Sequence, residues 1–505
     1  MPDRSVETVA ASRAGPSRRR PALRLWHIPL ALLVLAVACV LLLRWRWQHE
    51  FRQRIEAIAA QGYPVTPAEL DAWYKWPESG GNAADYILDA ASCYIELPSS
   101  ESSQLGCLLG PRRGRLPSTE PLPDAAKRIL TAHVQANARA IELALQAGKV
   151  EVSRWPIDLS DGFETITPDL AWPRKLGYLL CHQAILRAEE QDTAGATEAL
   201  EAAFGVTRSL RAEPVFISQL IRFAVNARML RAVERVLCRS RPNGAELRRL
   251  QRAVHAADDP DALVRALVGA RCMNLELFQR PESIERELLE TSDGLPPPVA
   301  LEMYKDVGLA AREGVLFLDL MTECIDAVQS SAPGRYEAGR LLQAQLPPTR
   351  KGYVLLPRLS NIGHLVLLEA DASACLRTAL AALGVQRYWL AHGELPSDLA
   401  DFVPDFLDSV PDDPFDGRPL RYKRLDDGFC VYSVGRDRSD DGGKEQPVSG
   451  GSKPGDTHDL VFTVRPRHLP PAAENRPQSG PKEGLGGEIP GKVSNLCDDG
   501  TSYCI

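Results

Sequence analysis

The chain has 505 residues, of which 25% are charged and 44% hydrophobic, and its formal net charge is −7 at pH 7. This length exceeds what one hydrophobic core usually organises, so we expect two or three domains. The acidic balance lacks the basic excess that nucleic-acid binding needs, which argues against a nucleic-acid partner.

An apolar run near the N-terminus predicts a transmembrane helix. Residues 25–43, LWHIPLALLVLAVACVLLL, are apolar except for His27 and Pro29. At about 1.5 Å per residue this run nearly crosses a hydrocarbon core of about 30 Å. Tryptophans flank the run, as in the aromatic belt of a membrane interface: Trp26, Trp45 and Trp47. We therefore predict membrane lipid as a partner through this one helix.

The arginines around this helix favour a cytoplasmic N-terminus over residues 1–24. Four arginines lie close to each end of the helix, and Arg4 and Arg13 add to the N-terminal side. The body after the helix would then lie outside the cytoplasm, in a bacterial cell envelope. Two other interpretations stay open. LAVAC at 35–39 could be a lipoprotein cleavage site with Cys39 acylated, or the run could be a cleaved secretory signal, although it continues to Leu43.

Ten further cysteines follow Cys39, and an exported body permits disulfides among them. Two pairs enclose short loops and each predicts a disulfide: Cys93 with Cys107, and Cys497 with Cys504. A metal interpretation of the second pair is weaker, because two thiols make half of a zinc site. Five others occupy apolar helical patterns and should be buried: Cys181, Cys238, Cys272, Cys324 and Cys375.

Residues 44–117 are predicted to be a juxtamembrane segment and a loop. The membrane helix should continue to about Ala60 and stop at Gly62. A short helix should follow from Pro67 to Tyr74, because TPAE supplies an N-cap threonine, a first-turn proline and a capping-box glutamate. Residues 98–122, rich in Ser, Pro, Gly and Arg, are predicted to be a loop.

Residues 118–345 predict an α-helical array. One helix is expected from Pro123 to Ala147, and residues 176–211 should form two antiparallel helices that turn at 191–194. Further helices are predicted at about 216–239, 245–256, 260–279 and 298–329. The hairpin is similar to a tetratricopeptide unit, but the period does not repeat. Stacked helical hairpins more often present a binding surface than an active site, so we expect an unknown protein partner.

The sequence favours a protein that is not an enzyme. It contains no HExxH, no GxxxxGK[ST] and no GxSxG motif. The histidines at 133, 182 and 255 lie on separate predicted helices without a partner at helical spacing. The alternative is an envelope hydrolase with acid and base carboxylates in the helical body. Glu189 and Glu190 are such a pair, although neighbouring carboxylates are common on solvated helices.

Residues 355–464 predict an α+β domain. Apolar residues recur at helical spacing from Leu365 to Leu390 and predict one long helix that ends at Gly393. A short second helix should run from Ser397 to Val403.

A small antiparallel sheet and an acidic loop complete this predicted domain. A β-hairpin is expected around the turn Asp426–Gly428, and residues 459–464 supply a closing strand. An acidic, glycine-bearing loop lies between them. Residues 465–505 are dominated by Pro, Gly and charge and are predicted to be a disordered tail.

This order of motifs resembles the C-terminal domain of the major pseudopilins of type II secretion systems, the GspG kind, over about 100 of the 505 residues. The matching positions are Tyr388, Gly393, Pro396, Asp413, Pro414, Phe415, Gly417, Pro419, Tyr422, Ser433, Gly435, Asp437, Gly442, Gly443 and Asp459. In that family the acidic loop binds calcium, so the resemblance implies a Ca²⁺ site here. Ca²⁺ takes about six to eight oxygen ligands, which carboxylates and carbonyls of a flexible loop provide.

The resemblance also assigns candidate ligands. Asp437 and Asp459 match the motif best, and Asp440, Asp441 and Asp456 are additional candidates because this loop differs in length from the family pattern. The alternative is a solvated acidic loop without an ion.

The pseudopilin-like domain departs from the family in its setting. The predicted membrane helix lies roughly 300 residues upstream of the domain's long helix, so we expect a module rather than a filament subunit. An accessory role in secretion is a further interpretation, by analogy of fold alone. The segment GYPVTPAELDAWY, with NAA at 82–84, is similar to uncharacterised single-pass bacterial membrane proteins. The predicted fold class is thus mainly α: a transmembrane helix, a helical hairpin array and a pseudopilin-like α+β domain.

Overall fold

The computed structural model describes residues 27–78, 80–109, 116–165, 170–279, 303–345, 361–444 and 458–466. Helix makes up 68% of it, and a three-stranded antiparallel sheet is present. The mainly helical class is therefore confirmed. Some predictions lie outside the described residues: the N-terminal arginines, the Cys497–Cys504 disulfide, Asp456 and the tail beyond residue 466.

One continuous helix, α1 (His27–Ala60), joins the apolar run to the body, as predicted. Its first half is long and apolar enough to cross a membrane, and the side chains of Leu35 and Leu42 there are each 66% exposed. Its second half contacts the body through Phe51 and Ile58, which are 7% and 5% exposed. The helix therefore changes its surroundings where the apolar run ends.

Three short helices follow: α2 (Pro67–Trp73), α3 (Ala83–Ser92) and α4 (Ser99–Leu109). The first agrees with the prediction, since the Thr66 hydroxyl accepts the backbone N–H of Glu69. The third contradicts the predicted loop over residues 99–109, whereas residues 116–122 have no helix or strand, as predicted. Leucines at 105, 108 and 109 are buried along one face of α4, and this apolar face outweighs the serine and glycine content that suggested a loop.

The disulfide predicted between Cys93 and Cys107 is wrong, because both residues have free thiols. Cys93 is the C-cap of α3, whereas the Cys107 thiol lies in α4 and donates to the carbonyl of Gln104. Helix thus replaces the short loop that the disulfide was expected to close. Of the five cysteines predicted to be buried, Cys375 is partly exposed and the other four are buried.

The body is a series of packed helices. In chain order they are α5 (Asp124–Ala136), α6 (Ala138–Lys149), α7 (Ala171–Glu189), α8 (Thr193–Arg208), α9 (Phe216–Arg239), α10 (Gly244–Ala257), α11 (Pro260–Gln279), α12 (Leu309–Val328) and α13 (Ala332–Gln345). The predicted hairpin at 176–211 is confirmed as α7 and α8, which pack closely against each other.

Two predicted helices of the body have different bounds. The single helix expected from Pro123 to Ala147 is divided at Asn137, whose amide group bonds both the backbone N–H and the carbonyl of Ile95. The helix expected over 298–329 is interrupted: residues 303–306 form one helical turn, and α12 begins after Gly308, which has a φ of +83° and is its N-cap. Residues 298–302 lie outside the described ranges. The first break involves a side-chain hydrogen bond to a distant backbone and the second a positive φ, and a helical repeat reveals neither.

The C-terminal part contains α14 (Asn361–His392), β1 (Arg421–Leu425), β2 (Gly428–Ser433) and β3 (Leu460–Val464). The strands pair antiparallel in the order β1-β2-β3, so the predicted long helix, hairpin and closing strand are confirmed. The helix expected from Ser397 to Val403 is instead a 3-10 turn at Leu399–Phe402. Its N-cap is Asp398, whose side chain accepts the backbone N–H of Ala400.

The array and the C-terminal part share a hydrophobic core. One cluster of buried side chains extends from Leu70 to Val464, and α14 packs against α9 and α10 as well as against β2 and β3. A partly buried ion pair also joins the C-terminal part to the body, with Arg377 Nε 2.9 Å from Asp258 Oδ2. The α+β part is therefore joined to the body by its core, and tests of its properties need the full chain.

Candidate functional site

The four predicted calcium ligands belong to the connection between β2 and β3. Asp459 stands directly before β3 and is 2% exposed. Its carboxylate accepts the backbone N–H of Gly443 at 2.7 Å and that of Asp441 at 3.4 Å. These bonds fasten the end of the described loop to the beginning of β3.

Two of the other three carboxylates, those of Asp437 and Asp440, shape the loop locally. Asp437 Oδ1 accepts the backbone N–H of Ser439 at 3.0 Å, and Asp440 Oδ1 accepts that of Gly442 at 3.0 Å. Both aspartates are exposed. Each therefore makes a turn of the kind in which an aspartate bonds the backbone two residues ahead.

The glycines of this loop are required by its backbone. Gly435, Gly442 and Gly443 have φ values of +72°, +71° and +77°, a region that side chains with a Cβ rarely adopt. At Gly443 a Cβ would also lie 3.2 Å from Cys430 Sγ and from the Tyr432 ring. The loop is consequently held in one shape against β2.

The carboxylate and carbonyl oxygens of this loop are ligands of the type that Ca²⁺ takes. The described side chains alone do not form a metal site. Within the described ranges, no three His, Cys, Asp or Glu side chains are grouped to hold a metal. Basic side chains of β1 already contact the loop. Lys423 Nζ donates to the Gly442 carbonyl at 3.2 Å, and Arg421 Nε lies 3.9 Å from Asp440 Oδ2.

Asp459 has an unfavourable electrostatic setting as a carboxylate. Burial raises its pKa, and the nearby carboxylates of Asp440 and Asp441 raise it further, against the lowering effect of the two backbone N–H groups. A bound cation would relieve this repulsion.

A second acidic centre, at Asp413, lies beside this loop and is fully buried. Its Oδ1 accepts the Ser433 hydroxyl at 2.9 Å and the Phe415 backbone N–H at 3.1 Å. Its Oδ2 accepts Arg421 Nη1 at 2.6 Å and the Val434 backbone N–H at 2.9 Å. Two motif residues that are twenty positions apart in the sequence thus form one hydrogen-bonded centre.

Glu189, one of the two carboxylates in the hydrolase alternative, is part of a buried ion-pair network. Its side chain is 7% exposed and lies 3.0 Å from Arg235 Nη2 and 2.8 Å from Arg239 Nη2. The same arginines donate to backbone carbonyls of residues 117, 119 and 120. Glu190 is exposed. The structure therefore gives Glu189 the role of holding α7, α9 and the segment before α5 together.

Sequence reasoning missed two buried polar groups in the body. Glu213 is fully buried, accepts the Ser218 hydroxyl, and has its pKa raised to about 8 because burial disfavours its charge. Arg154 is 2% exposed, with Nη2 2.8 Å from Asp71 Oδ1 and its guanidinium 4.1 Å from the centre of the Tyr74 ring. Each charged residue directly precedes an apolar stretch, PVFI after Glu213 and WPI after Arg154. A charge buried with such a stretch needs a partner or a pKa shift.

Two histidines that sequence reasoning treated separately lie close together. The rings of His133 and His182 have centroids 6.0 Å apart, and His133 Nδ1 lies 3.2 Å from the Asn137 amide nitrogen. Burial lowers the pKa of both, that of His182 to about 3. Both are therefore neutral near pH 7, and the His133 ring packs edge to face with both Tyr94 and His182, as core aromatics do.

No family model, no curated protein and no solved structure matches this chain. The resemblance to the major pseudopilins therefore rests on the motif positions themselves, and the functional argument rests on the contacts that these residues make.

Proposed function

We propose that this chain is a single-pass, membrane-anchored protein of the bacterial cell envelope, with a cytoplasmic N-terminus and its body outside the cytoplasm. The helical body binds a protein partner rather than performing catalysis. The pseudopilin-like C-terminal part binds Ca²⁺ and links the chain to type II secretion. The observation that carries the anchoring proposal is α1, which presents an exposed apolar half and a half that is packed on the body.

The exposed half of α1 supports lipid as its environment. Its large apolar side chains are well exposed over the whole run, with Val34 at 60% and Leu41 at 56%. A continuous apolar surface of this kind is unfavourable in water and marks a membrane or protein contact. Trp45, 65% exposed just after the run, suits the membrane interface.

The arrangement of the body supports binding over catalysis. The carboxylate of Glu189 is engaged by two arginines, and that of Glu369 by Arg335 Nη1 at 3.1 Å, so these acids stabilise packing. The cavity between α8, α9 and α10 has a volume of only about 20 Å³, which holds about one water molecule. A wider groove of about 410 Å³ between α1 and α12 is open to solvent.

Alkaline extraction of membranes tests the anchor. We expect the full chain to stay in the membrane fraction until detergent is added. Val37→Asp combined with Leu41→Asp should release it, because each charge costs roughly 2.5–3.5 kcal/mol at the centre of a membrane helix. Leu390→Asp, at an exposed leucine of α14, is the matched control and should not. Release of the unmodified chain by alkaline carbonate would contradict the anchor. Protection of the body from protease added to spheroplasts would show that the body is cytoplasmic and would contradict the proposed orientation.

Thermal unfolding of the full chain with Ca²⁺, with Mg²⁺ and with chelator tests the metal proposal. A ligand that binds only the folded state stabilises it by about 2.7 kcal/mol at a hundredfold excess over its dissociation constant. Ca²⁺ should therefore raise Tm, and Asp437→Ala should abolish the increase, with at most a small fall of Tm in chelator from the loss of its bond to the Ser439 N–H. Equal Tm in Ca²⁺ and chelator would refute calcium binding. The secretion link is tested separately, by crosslinking and co-purification with components of a type II secretion machine.

A further inference from the structure

α1 and α12 lie side by side, and the order of their contacts gives their relative direction. Gly308 lies so close to α1 that a Cβ there would be 2.9 Å from Arg44 Cα. Proceeding along both helices, the contacts join Gly308 to Arg44, Gly314 to the Phe51 ring, and Asp319 to Arg54. The residue numbers rise together, so α12 runs parallel to α1.

This pairing fixes where the body begins along the axis of α1, which we call its height relative to the apolar run. Arg44 is the first residue after the run, and Gly308 contacts its backbone. The small residues Gly308 and Gly314 allow the two helices to approach closely. The body therefore begins level with the end of the run, without a spacer, and α12 leads away from it.

The side chains at this height have a composition suited to lipid headgroups. Met303, in the helical turn before Gly308, is 62% exposed, and Trp45 on α1 is 65% exposed. The Arg312 guanidinium lies over the Trp47 ring, 5.9 Å from its centre. Basic residues at the same height are Arg44, Arg46, Lys305 and Arg312, and acidic residues are Glu50 and Asp306. Tryptophan and basic side chains with an exposed apolar neighbour are typical of membrane interfaces.

We infer that Trp45, Arg46 and the turn Met303–Gly308 form an interfacial surface that lies in the phospholipid headgroup layer. Met303 reaches toward the acyl chains, and the basic side chains contact phosphate groups. This inference rests on the proposed membrane anchor. It adds that the turn before α12 is a second contact with the bilayer, so that the orientation of the body relative to the membrane is fixed.

Site-specific photocrosslinking in the full chain tests the surface. The photoreactive residue p-benzoylphenylalanine is placed at position 303, in protein reconstituted into phospholipid nanodiscs, and lipid adducts are measured by mass spectrometry. Val37, 51% exposed within the apolar run, is the position that reports the anchor itself. Leu390, 44% exposed near the C-terminal end of α14, is the matched exposed apolar control.

Leu390 should be distant from the bilayer. α13 and α14 are antiparallel, since Gly339 lies against Val366 and Gly363 lies against Gln343. α13 follows α12 after a three-residue connection and packs against it, so we expect α13 to lead back toward the membrane. α14 should then lead outward over 32 residues, about 48 Å at 1.5 Å per residue.

Positions 37 and 303 should give several-fold more lipid adduct than position 390. If position 37 gave lipid adduct but the adduct yield at position 303 were no higher than at position 390, the interfacial surface would be overturned and the anchor would remain supported. Loss of adduct at both 37 and 303 would overturn the anchor and the inference together.

Discussion

The two acidic centres of the C-terminal part lie side by side and are organised in opposite ways. At Asp413 both carboxylate oxygens accept two hydrogen bonds each, one of them from the Arg421 guanidinium, and the residue is fully buried. At Asp459 two backbone N–H groups are the donors and other carboxylates are the neighbours. Both are positions at which the sequence resembles the pseudopilins. The charge of Asp413 is compensated by Arg421, whereas the neighbours of Asp459 are carboxylates, so an external cation would be electrostatically favourable only at Asp459.

The largest expected effect comes from breaking the neutralised centre. Asp413→Asn removes the charge opposite Arg421 and replaces one acceptor oxygen by a donor nitrogen. Breaking a buried ion pair in this way costs about 3–5 kcal/mol, so the urea midpoint of the full chain should fall steeply. Asp416→Asn is the matched control, because Asp416 also binds Arg421 but is part-exposed. A smaller loss at position 413 than at position 416 would contradict the structural role of Asp413.

The second prediction concerns the shape of the acidic loop. Gly443→Ala should destabilise the chain by about 1–3 kcal/mol through crowding against Cys430 and Tyr432, in addition to the strain of a positive φ. Gly442→Ala carries the same conformational strain, about 1–2 kcal/mol, but its Cβ would meet no atom within 4 Å. In denaturant unfolding, Gly443→Ala should therefore have a lower free energy of unfolding than Gly442→Ala. The reverse ranking would show that the loop is not packed on β2.

Local signals explain which parts of this region could be predicted from the sequence. The turn Asp426–Gly428 predicted the hairpin. Helical spacing of apolar residues predicted α14 to within a few residues of its start. The partnership of Asp413 with Arg421 and Ser433 was not predictable, because it depends on how the strands pair across distant positions. The same reason applies to Asn137, which divides a regular helical pattern in order to bond Ile95.

The arrangement of the candidate site was predicted only in part. The sequence predicted four aspartates of one loop as ligands, and the structure brings Asp459 to the backbone of Asp441 and Gly443. The described side chains are not grouped to hold a metal. The contacts of Lys423 and Arg421 with the loop were not expected, since they arise from the register of β1 against β2. Composition also misled, because the serines of α4 concealed its three buried leucines.

The smallest expected effect concerns the pH dependence that Asp459 adds to stability. Its pKa is raised above 3.8 in the folded chain by burial and by Asp440 and Asp441, so the protonated form is favoured on folding. The stability that Asp459 contributes through this pKa difference is fully present below the pKa of the unfolded chain. It is lost as pH rises through the pKa of the folded chain. Asp440→Asn removes one neighbouring charge and should reduce that loss, by no more than about 0.5 kcal/mol for an exposed residue. Asp437→Asn, whose charge is not among the main causes of the raised pKa, is the control.

The urea midpoint of each variant, measured in chelator at a series of pH values above 3.8, checks this directly. A cation bound to Asp459 favours its ionised form, so Ca²⁺ should weaken or reverse the fall in stability with pH, because an opposite charge lowers the pKa of a carboxyl. If Asp440→Asn and Asp437→Asn behaved alike in chelator, the repulsion around Asp459 would be absent and the electrostatic reason for a cation there would be lost. If the repulsion is present but Ca²⁺ leaves the pH profile unchanged, Lys423 and Arg421 are the cations that this loop uses.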